Sequence, residues 1–253
     1  MKRSTTILLA AWLAMISTTG TAQESDTARV TAAVRRALPG TTVSEVRAAP
    51  IRGLLEVVAG RNVFYTDAAG RFLVIGSIYD LATAQDLTAQ RKREITRIVW
   101  QQLPLDKAIR FGSGPSKLAV FLDPDCPWCR KLPAALHTLD NVEVSVFLFP
   151  IEALHPGVQE KSLRILCAAK PVEALDRALR GEAVAEVKHC ADAAPRIDTI
   201  MRFAQAHGIA GTPTFVAADG RVHSGYLAPE ALRAWLTATT QAATPSSTKK
   251  EHP

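Results

Sequence analysis

Cys126-Pro127-Trp128-Cys129 constrains what this chain can fold into more than any other stretch. Two thiols separated by two residues can close into a reversible disulfide. The apolar run Leu118-Ala119-Val120-Phe121-Leu122 precedes them and ends at Asp123-Pro124-Asp125, which predicts a short buried strand. From Arg130 onward the sequence reads as a helix. Cys126 then stands at a helix start, where unpaired N–H groups and the positive end of the dipole favour an anion. The thiolate is the nucleophile, and thiols so placed have pKa values of roughly 3.5–7.5. Cys129, one turn in and less exposed, is positioned to attack a mixed disulfide formed on Cys126. Pro127 and Trp128 set the rigidity of the turn and its redox poise. A zinc site is the competing use of such a pair. It needs two more ligands, and the remaining cysteines, Cys167 and Cys190, form no second close pair. A purely structural disulfide across two intervening residues would be strained.

A Cys-x-x-Cys at a strand-to-helix junction is the setting of a thioredoxin-like redox centre. The start of the chain indicates where it works. Met1-Lys2-Arg3 is basic, Ile7 to Ile16 is mostly apolar and short for a bilayer span, and Thr21-Ala22 offers small residues for cleavage. This predicts a signal peptide over 1–22, with an uncleaved anchor as the alternative. Export implies an oxidising compartment. Removing Lys2 and Arg3, with no acid in the same segment, takes the net charge from +6 to +4. That is mild, and no basic groove with interleaved aromatics points to nucleic acid. The run Arg91-Lys92-Arg93 with Arg97 reads as a solvated helix face.

The mature length suits two modest domains. In the first, over 23–81, a helix from Ser25 to Leu38 is stopped by Pro39-Gly40, and strands follow over Leu54–Val58, Asn62–Thr66 and Arg71–Ile75. So small a unit gains stability by pairing with a copy of itself. A linker over 82–115 follows. The sequence predicts a helix from about Leu81 to Leu103, then a flexible break at Phe111-Gly112-Ser113-Gly114-Pro115. The second domain, 116–239, reads as strand, Cys-x-x-Cys helix, strand (Val142–Phe149), a long helical region over Pro156–His207, two strands (Thr214–Ala217, Arg221–Ser224) and a helix after Pro229. This is the thioredoxin order with a helical insertion. The polar tail, 240–253, reads as disordered.

Cys167 and Cys190 lie in the insertion. In an exported protein a structural disulfide is the default for such a remote pair, worth roughly 3 kcal/mol for a loop of this length in the chain-entropy account. Gly211-Thr212-Pro213-Thr214 precedes a strand. In thioredoxin-like folds such a loop faces the thiols with a cis X-Pro bond, leaving the Thr212 backbone free to pair with an extended substrate. An ordinary trans proline at a strand start is the alternative. His137, His155, His189, His207 and His223 are scattered, with no metal spacing among them. Asp123 and Asp125 read as solvated loop acids.

Taken together, these segments resemble the periplasmic disulfide isomerase family of DsbC and DsbG. The resemblance covers nearly the whole mature chain. It rests on Gly53-Leu54-Leu55-Glu56-Val57, Gly76-Ser77-Ile78-Tyr79-Asp80-Leu81, Phe121 through Cys129, the pair Cys167/Cys190, Gly211-Thr212-Pro213 and Gly225-Tyr226. It implies an α+β, cystatin-like N-terminal dimerisation domain, a linker helix and an α/β thioredoxin-like catalytic domain. It implies a V-shaped periplasmic homodimer acting on misfolded disulfide-containing clients, with Cys126 attacking, Cys129 resolving and Thr212-Pro213 touching the client. A DsbD-type membrane reductase would keep the pair reduced, and no cofactor or metal is implied. Pro127-Trp128 departs from the Gly-Tyr of DsbC and is nearer the Pro-Tyr of DsbG, which leaves client range and potential open. Two rival readings stand. A DsbA-like dithiol oxidase is disfavoured by the leading domain and the remote cysteine pair. A periplasmic chaperone or assembly factor is the other, because related proteins accompany conjugative elements.

Overall fold

The computed structural model describes residues 19–188 and 190–238. Most of the expected signal peptide, the expected tail and His189 lie outside the described residues. The chain forms two compact units that part between Ala89 and Gln90.

In the first unit a helix, α1 (Thr19–Ala37), precedes an antiparallel sheet of β1 (Val43–Ala48), β2 (Leu54–Ala59), β3 (Asn62–Asp67) and β4 (Leu73–Val74), in that order. Alternation along β2 sends Leu55, Val57 and Ala59 to one face, where they pack with Val30 and Val34 of α1 and Phe64 of β3. Strand β1 has no counterpart in the sequence reading. Its side chains are all partly or fully exposed, so it lacks the apolar alternation that marks a strand. Its register is held instead by pairing with β2, where Arg47 faces Glu56 and donates to its carboxylate at 2.8 Å. At the turn after β3 the Asp67 side chain accepts from the Arg71 and Phe72 N–H groups at 2.8 and 2.9 Å. Gly70 has φ +68°, and a Cβ there would meet the Ala33 Cβ at 2.9 Å. A small hairpin, β5 (Tyr79–Asp80) with β6 (Gln85–Asp86), closes the unit.

The helix predicted over Leu81–Leu103 is corrected to α2 (Leu87–Ile95), nine residues long. Thr96 ends it by turning its hydroxyl back to the Lys92 carbonyl at 2.7 Å. The β-branched Ile98 and Val99 then run extended, and the Ile98 N–H donates to Gly220 O at 2.9 Å. Ile98, Trp100 and Leu103 are buried in the second unit's core, so they serve as part of that unit and not as a linker.

The second unit is a five-stranded sheet of β7 (Ile109–Phe111), β8 (Ser116–Leu122), β9 (Val142–Leu148), β10 (Thr214–Ala217) and β11 (Val222–Ser224), ordered β11-β10-β8-β9-β7. Only β8 and β9 pair in parallel. The expected flexible break at Gly112–Gly114 is a tight crossing between two strands of this sheet. A Cβ at Gly112 would lie 2.4 Å from Val142 O, and one at Gly114 2.2 Å from the Asn141 carbonyl carbon. Glycine is required there by close backbone approach, not by flexibility.

Strand β8 is sealed on both faces, as its unbroken apolar run requires. Leu118, Val120 and Leu122 pack with residues of α3 (Pro133–His137), α4 (Val158–Cys167), α5 (Pro171–Leu179) and α7 (Pro229–Thr237). Ala119 and Phe121 pack with α6 (Ala193–Ala206), and Phe121 stacks on Phe147 at 4.7 Å. The long helical region expected over Pro156–His207 is three helices, and the described residues between Gly181 and Asp192 form no helix or strand. Cys190 sits in that irregular stretch and is joined to Cys167 at the end of α4, Cα to Cα 5.4 Å. The closed loop spans a sequence separation of 23, so replacing both cysteines by alanine should cost about 3 kcal/mol. A fall in the urea midpoint, with a slope that steepens as the unfolded chain expands, would register it.

Candidate redox-active site

The site is built at the C-terminal end of β8. Asp123 follows the strand directly and its side chain is fully buried. One carboxyl oxygen accepts from the Asp125 N–H at 2.7 Å. The other accepts from the Ile151 N–H at 2.8 Å and sits 3.0 Å from His155 Nδ1. The Asp123 carbonyl accepts from the Cys126 N–H at 3.2 Å. Asp123 therefore folds the loop that carries the thiols and ties it to the segment after β9. This corrects the reading of Asp123 as a solvated loop acid, and it gives His155 a partner at the site. The only sequence signal was position: an acid directly after a fully buried strand must find donors or leave the strand end.

The thiol turn differs from the expected helix. Cys129–Lys131 is a 3-10 turn and α3 begins only at Pro133, for five residues. Pro133 has no N–H, so the Cys129 carbonyl accepts from Leu132 instead, at 2.9 Å. Arg130 N–H still donates to Cys126 O at 3.1 Å, which keeps one helical turn around the thiols. The short α3 supplies little dipole, so the local N–H groups matter more than the helix.

Cys126 and Cys129 are both free thiols. Cys126 is 6 % exposed and Cys129 fully buried. The Cys126 thiol donates to Thr212 O at 3.5 Å, and Thr212-Pro213 is a cis peptide bond. Burial, and then the adjacent Cys126 sulfur, push the Cys129 thiol well above its ordinary value; the Asp123 N–H and the Thr212 side chain pull weakly the other way. Thr212 thus meets both sulfurs. The loop is pinned from behind, where Gly225 N–H donates to Pro213 O at 2.8 Å and Thr214 Oγ1 donates to Gly211 O at 2.7 Å.

The rim of the site is aromatic and cationic. Pro127 and Trp128 are exposed, Trp128 by 53 %. Tyr226 approaches Trp128 with ring centroids 5.8 Å apart, and Lys131 Nζ lies 4.2 Å over the Trp128 ring. Asp125 accepts from Lys161 Nζ at 2.6 Å and from Arg130 at 2.6 Å. Burial opposes its ionisation, but these two cations prevail and hold it below the usual carboxylate range. Lys161 and Tyr226 were not singled out as neighbours of the thiols in the sequence, because they come from separate elements; Lys131 shares the 3-10 turn of Cys129, and only the placement of the Trp128 and Tyr226 rings marks it. Cys167 and Cys190 form their own disulfide, separate from the thiol pair.

A parallel-cored sheet with helices on both faces, and a free dithiol at the end of its central strand facing a cis-proline loop, defines a thioredoxin-like thiol–disulfide oxidoreductase. Residues 20–89 match the family described as the disulfide bond isomerase protein N-terminal domain, and residues 106–240 match the thioredoxin-like domain. The probable thiol:disulfide interchange protein DsbC of Bordetella avium is 35% identical over 198 residues, 77% of this chain and 69% of that protein. The thiol:disulfide interchange protein DsbC of Salmonella typhimurium is 26% identical over 213 residues, 81% of this chain and 86% of that protein. A crystal structure of the disulfide interchange protein from Neisseria gonorrhoeae aligns at 31% identity with a TM-score of 0.47, covering 52% of this chain and 95% of that one. The chain belongs to the DsbC family of thiol:disulfide interchange proteins.

Proposed function

We propose that this chain is a periplasmic disulfide isomerase and reductase, working as a homodimer on misfolded exported proteins. The observation that carries the reading is the inequality of the two cysteines: Cys126 keeps 6 % exposure beside Thr212, and Cys129 has none. Cys126 as thiolate attacks one sulfur of a client disulfide. A Cys126–client S–S bond forms, the client S–S bond breaks, and the second client sulfur leaves with the electron pair and takes a proton. A client thiol that then attacks the mixed disulfide completes isomerisation and restores Cys126. If Cys129 attacks instead, the client leaves reduced and the pair is oxidised, to be reduced again by a DsbD-type membrane reductase.

The raised Cys129 pKa sets the order of events. At neutral pH Cys129 stays a thiol, so it does not compete for the first attack. Once Cys126 is in a mixed disulfide its sulfur no longer carries charge, and one cause of the raised value is gone. Thr212-Pro213 would receive the client backbone, and Pro127 and Trp128 would tune the redox poise. The test is refolding of a scrambled multi-disulfide protein without added oxidant. Recovery of native pairing supports isomerisation. Oxidation of a fully reduced client, with no recovery of the scrambled one, would favour the oxidase reading. Full activity of a Cys126→Ala variant would leave only the chaperone reading.

Dimerisation is supported by the first unit's surface. Phe72, Leu73 and Val74 are exposed in and beside the edge strand β4, Ile75 is 82 % exposed and Leu81 92 %. An exposed apolar edge of this kind invites pairing with another strand edge. Ile75→Asp with Leu81→Asp should shift the chain from dimer to monomer in sedimentation velocity and lower isomerisation more than simple reduction. A dimer unchanged at micromolar concentration would remove this surface from the interface.

A further inference from the structure

Lys131 stands out among the charged groups around the thiols. Arg130 and Lys161 both close on Asp125, and the other nearby acid, Asp123, is buried against backbone N–H groups and His155. Lys131 has no carboxylate partner among the described residues. Its ammonium instead lies 4.2 Å from the Trp128 ring centroid and 5.9 Å from that of Tyr226. A cation held over aromatic faces keeps its full charge and remains open to an anion. The aromatic rings fix where that charge stands: within the Cys-x-x-Cys turn on one side and beside the Gly225-Tyr226 segment on the other. Gly225 is the residue that pins Pro213. The charge is therefore tied to both walls of the place where a client cysteine must approach Cys126.

We infer that Lys131, held by Trp128 and Tyr226, is a specificity-determining residue that favours client disulfides flanked by an acidic side chain. The occupant is an extended client segment with a glutamate or aspartate beside the attacked cysteine. Trp128 and Tyr226 supply apolar contact for the neighbouring residues, and Lys131 supplies the charge complementarity. This rests on the exchange reaction proposed above and adds the class of segment it prefers. The covalent step is unchanged: the Cys126–client bond forms as the client S–S bond breaks, and the acidic flank only raises the occupancy of the attacking geometry.

The test uses the full chain and three disulfide-closed peptides that differ only at the residues flanking one cysteine: glutamate, glutamine or lysine. Each rate is divided by the rate of the same peptide with dithiothreitol, which removes intrinsic differences in the leaving thiol. An exposed charge pair of this kind is worth about two- to five-fold in rate, so the order should be glutamate, glutamine, lysine with steps of about that size. The steps should shrink at high salt. Lys131→Arg should keep the order, Lys131→Gln should bring the three ratios together, and Lys131→Glu should reverse them. A uniform change in all three rates is what a merely structural lysine would give. Equal ratios in the unsubstituted chain, or an unchanged order in Lys131→Gln, would overturn the inference and leave the exchange reaction standing. Failure of every peptide to react would overturn both.

Discussion

A Cys129→Ser variant should accumulate a covalent complex with its clients, and a Cys126→Ser variant should form none. Cys126 is the less buried of the two, with Thr212 O as its partner; Cys129 is fully enclosed. A serine hydroxyl is a far weaker acid than a thiol and a far weaker nucleophile toward sulfur, so Cys126→Ser offers essentially no attacking anion. Exchange should fall to the uncatalysed rate. Without the Cys129 sulfur, a mixed disulfide on Cys126 can be released only by a client thiol or an added reductant. Non-reducing electrophoresis of extracts, with thiols blocked in acid, reads both outcomes. Complexes trapped through Cys129 in the Cys126→Ser variant would reverse the assigned roles.

The same asymmetry has a pH signature. Because burial, the largest cause of the raised Cys129 pKa, persists when Cys126 is in a mixed disulfide, the reactive anion of Cys129 is scarce at neutral pH and grows as pH rises. Resolution by Cys129 should then accelerate by about tenfold per pH unit from 7 to 9. Single-turnover release of a preformed mixed disulfide measures this directly. A flat profile would show that Cys129 is ionised already, or that it does not resolve the complex.

Asp123→Ala should be the most damaging change at the site outside the cysteines. The variant leaves the N–H groups of Asp125 and Ile151 without their acceptor, and His155 without its partner, around a side chain that is itself fully buried. Loss of a buried carboxyl with several donors costs about 3–5 kcal/mol. Asp123→Asn keeps the shape and acceptor capacity on one oxygen, so it should cost about 1–2 kcal/mol. The difference between the two urea denaturation midpoints isolates the hydrogen bonds from the packing. Loosening of the thiol loop should appear in parallel as faster alkylation of Cys129, which is shielded in the native fold. Equal stability of Asp123→Ala and the unsubstituted chain would remove the anchoring role.

Where the side-chain pattern and the backbone requirement coincided, the sequence was readable. The run Leu118–Leu122 is apolar throughout because both faces of β8 are covered, and such a run needs no partner to be recognised. The dithiol, the proline of the facing loop and the strand-helix-strand order were legible for the same reason. Each is a local property of a few consecutive residues. Strand β1 was not legible, because its exposed side chains carry no alternation and its place is decided by backbone pairing with β2. Nor was the crossing at Gly112–Gly114. Gly-Ser-Gly is compatible with a hinge or a close approach, and only the position of Asn141 and Val142 separates them.

The sequence by itself determined the chemistry available to this protein, two thiols at the end of a buried strand, and the class of fold that could present them. The tertiary structure decided how the two sulfurs differ. Thr212 reaches the thiols, and Tyr226 reaches Trp128 at their rim, from a distant part of the chain, and burial, hydrogen bonding and charge at a sulfur depend on distance in space. Those fields fall off over a few ångströms, whatever the separation along the chain.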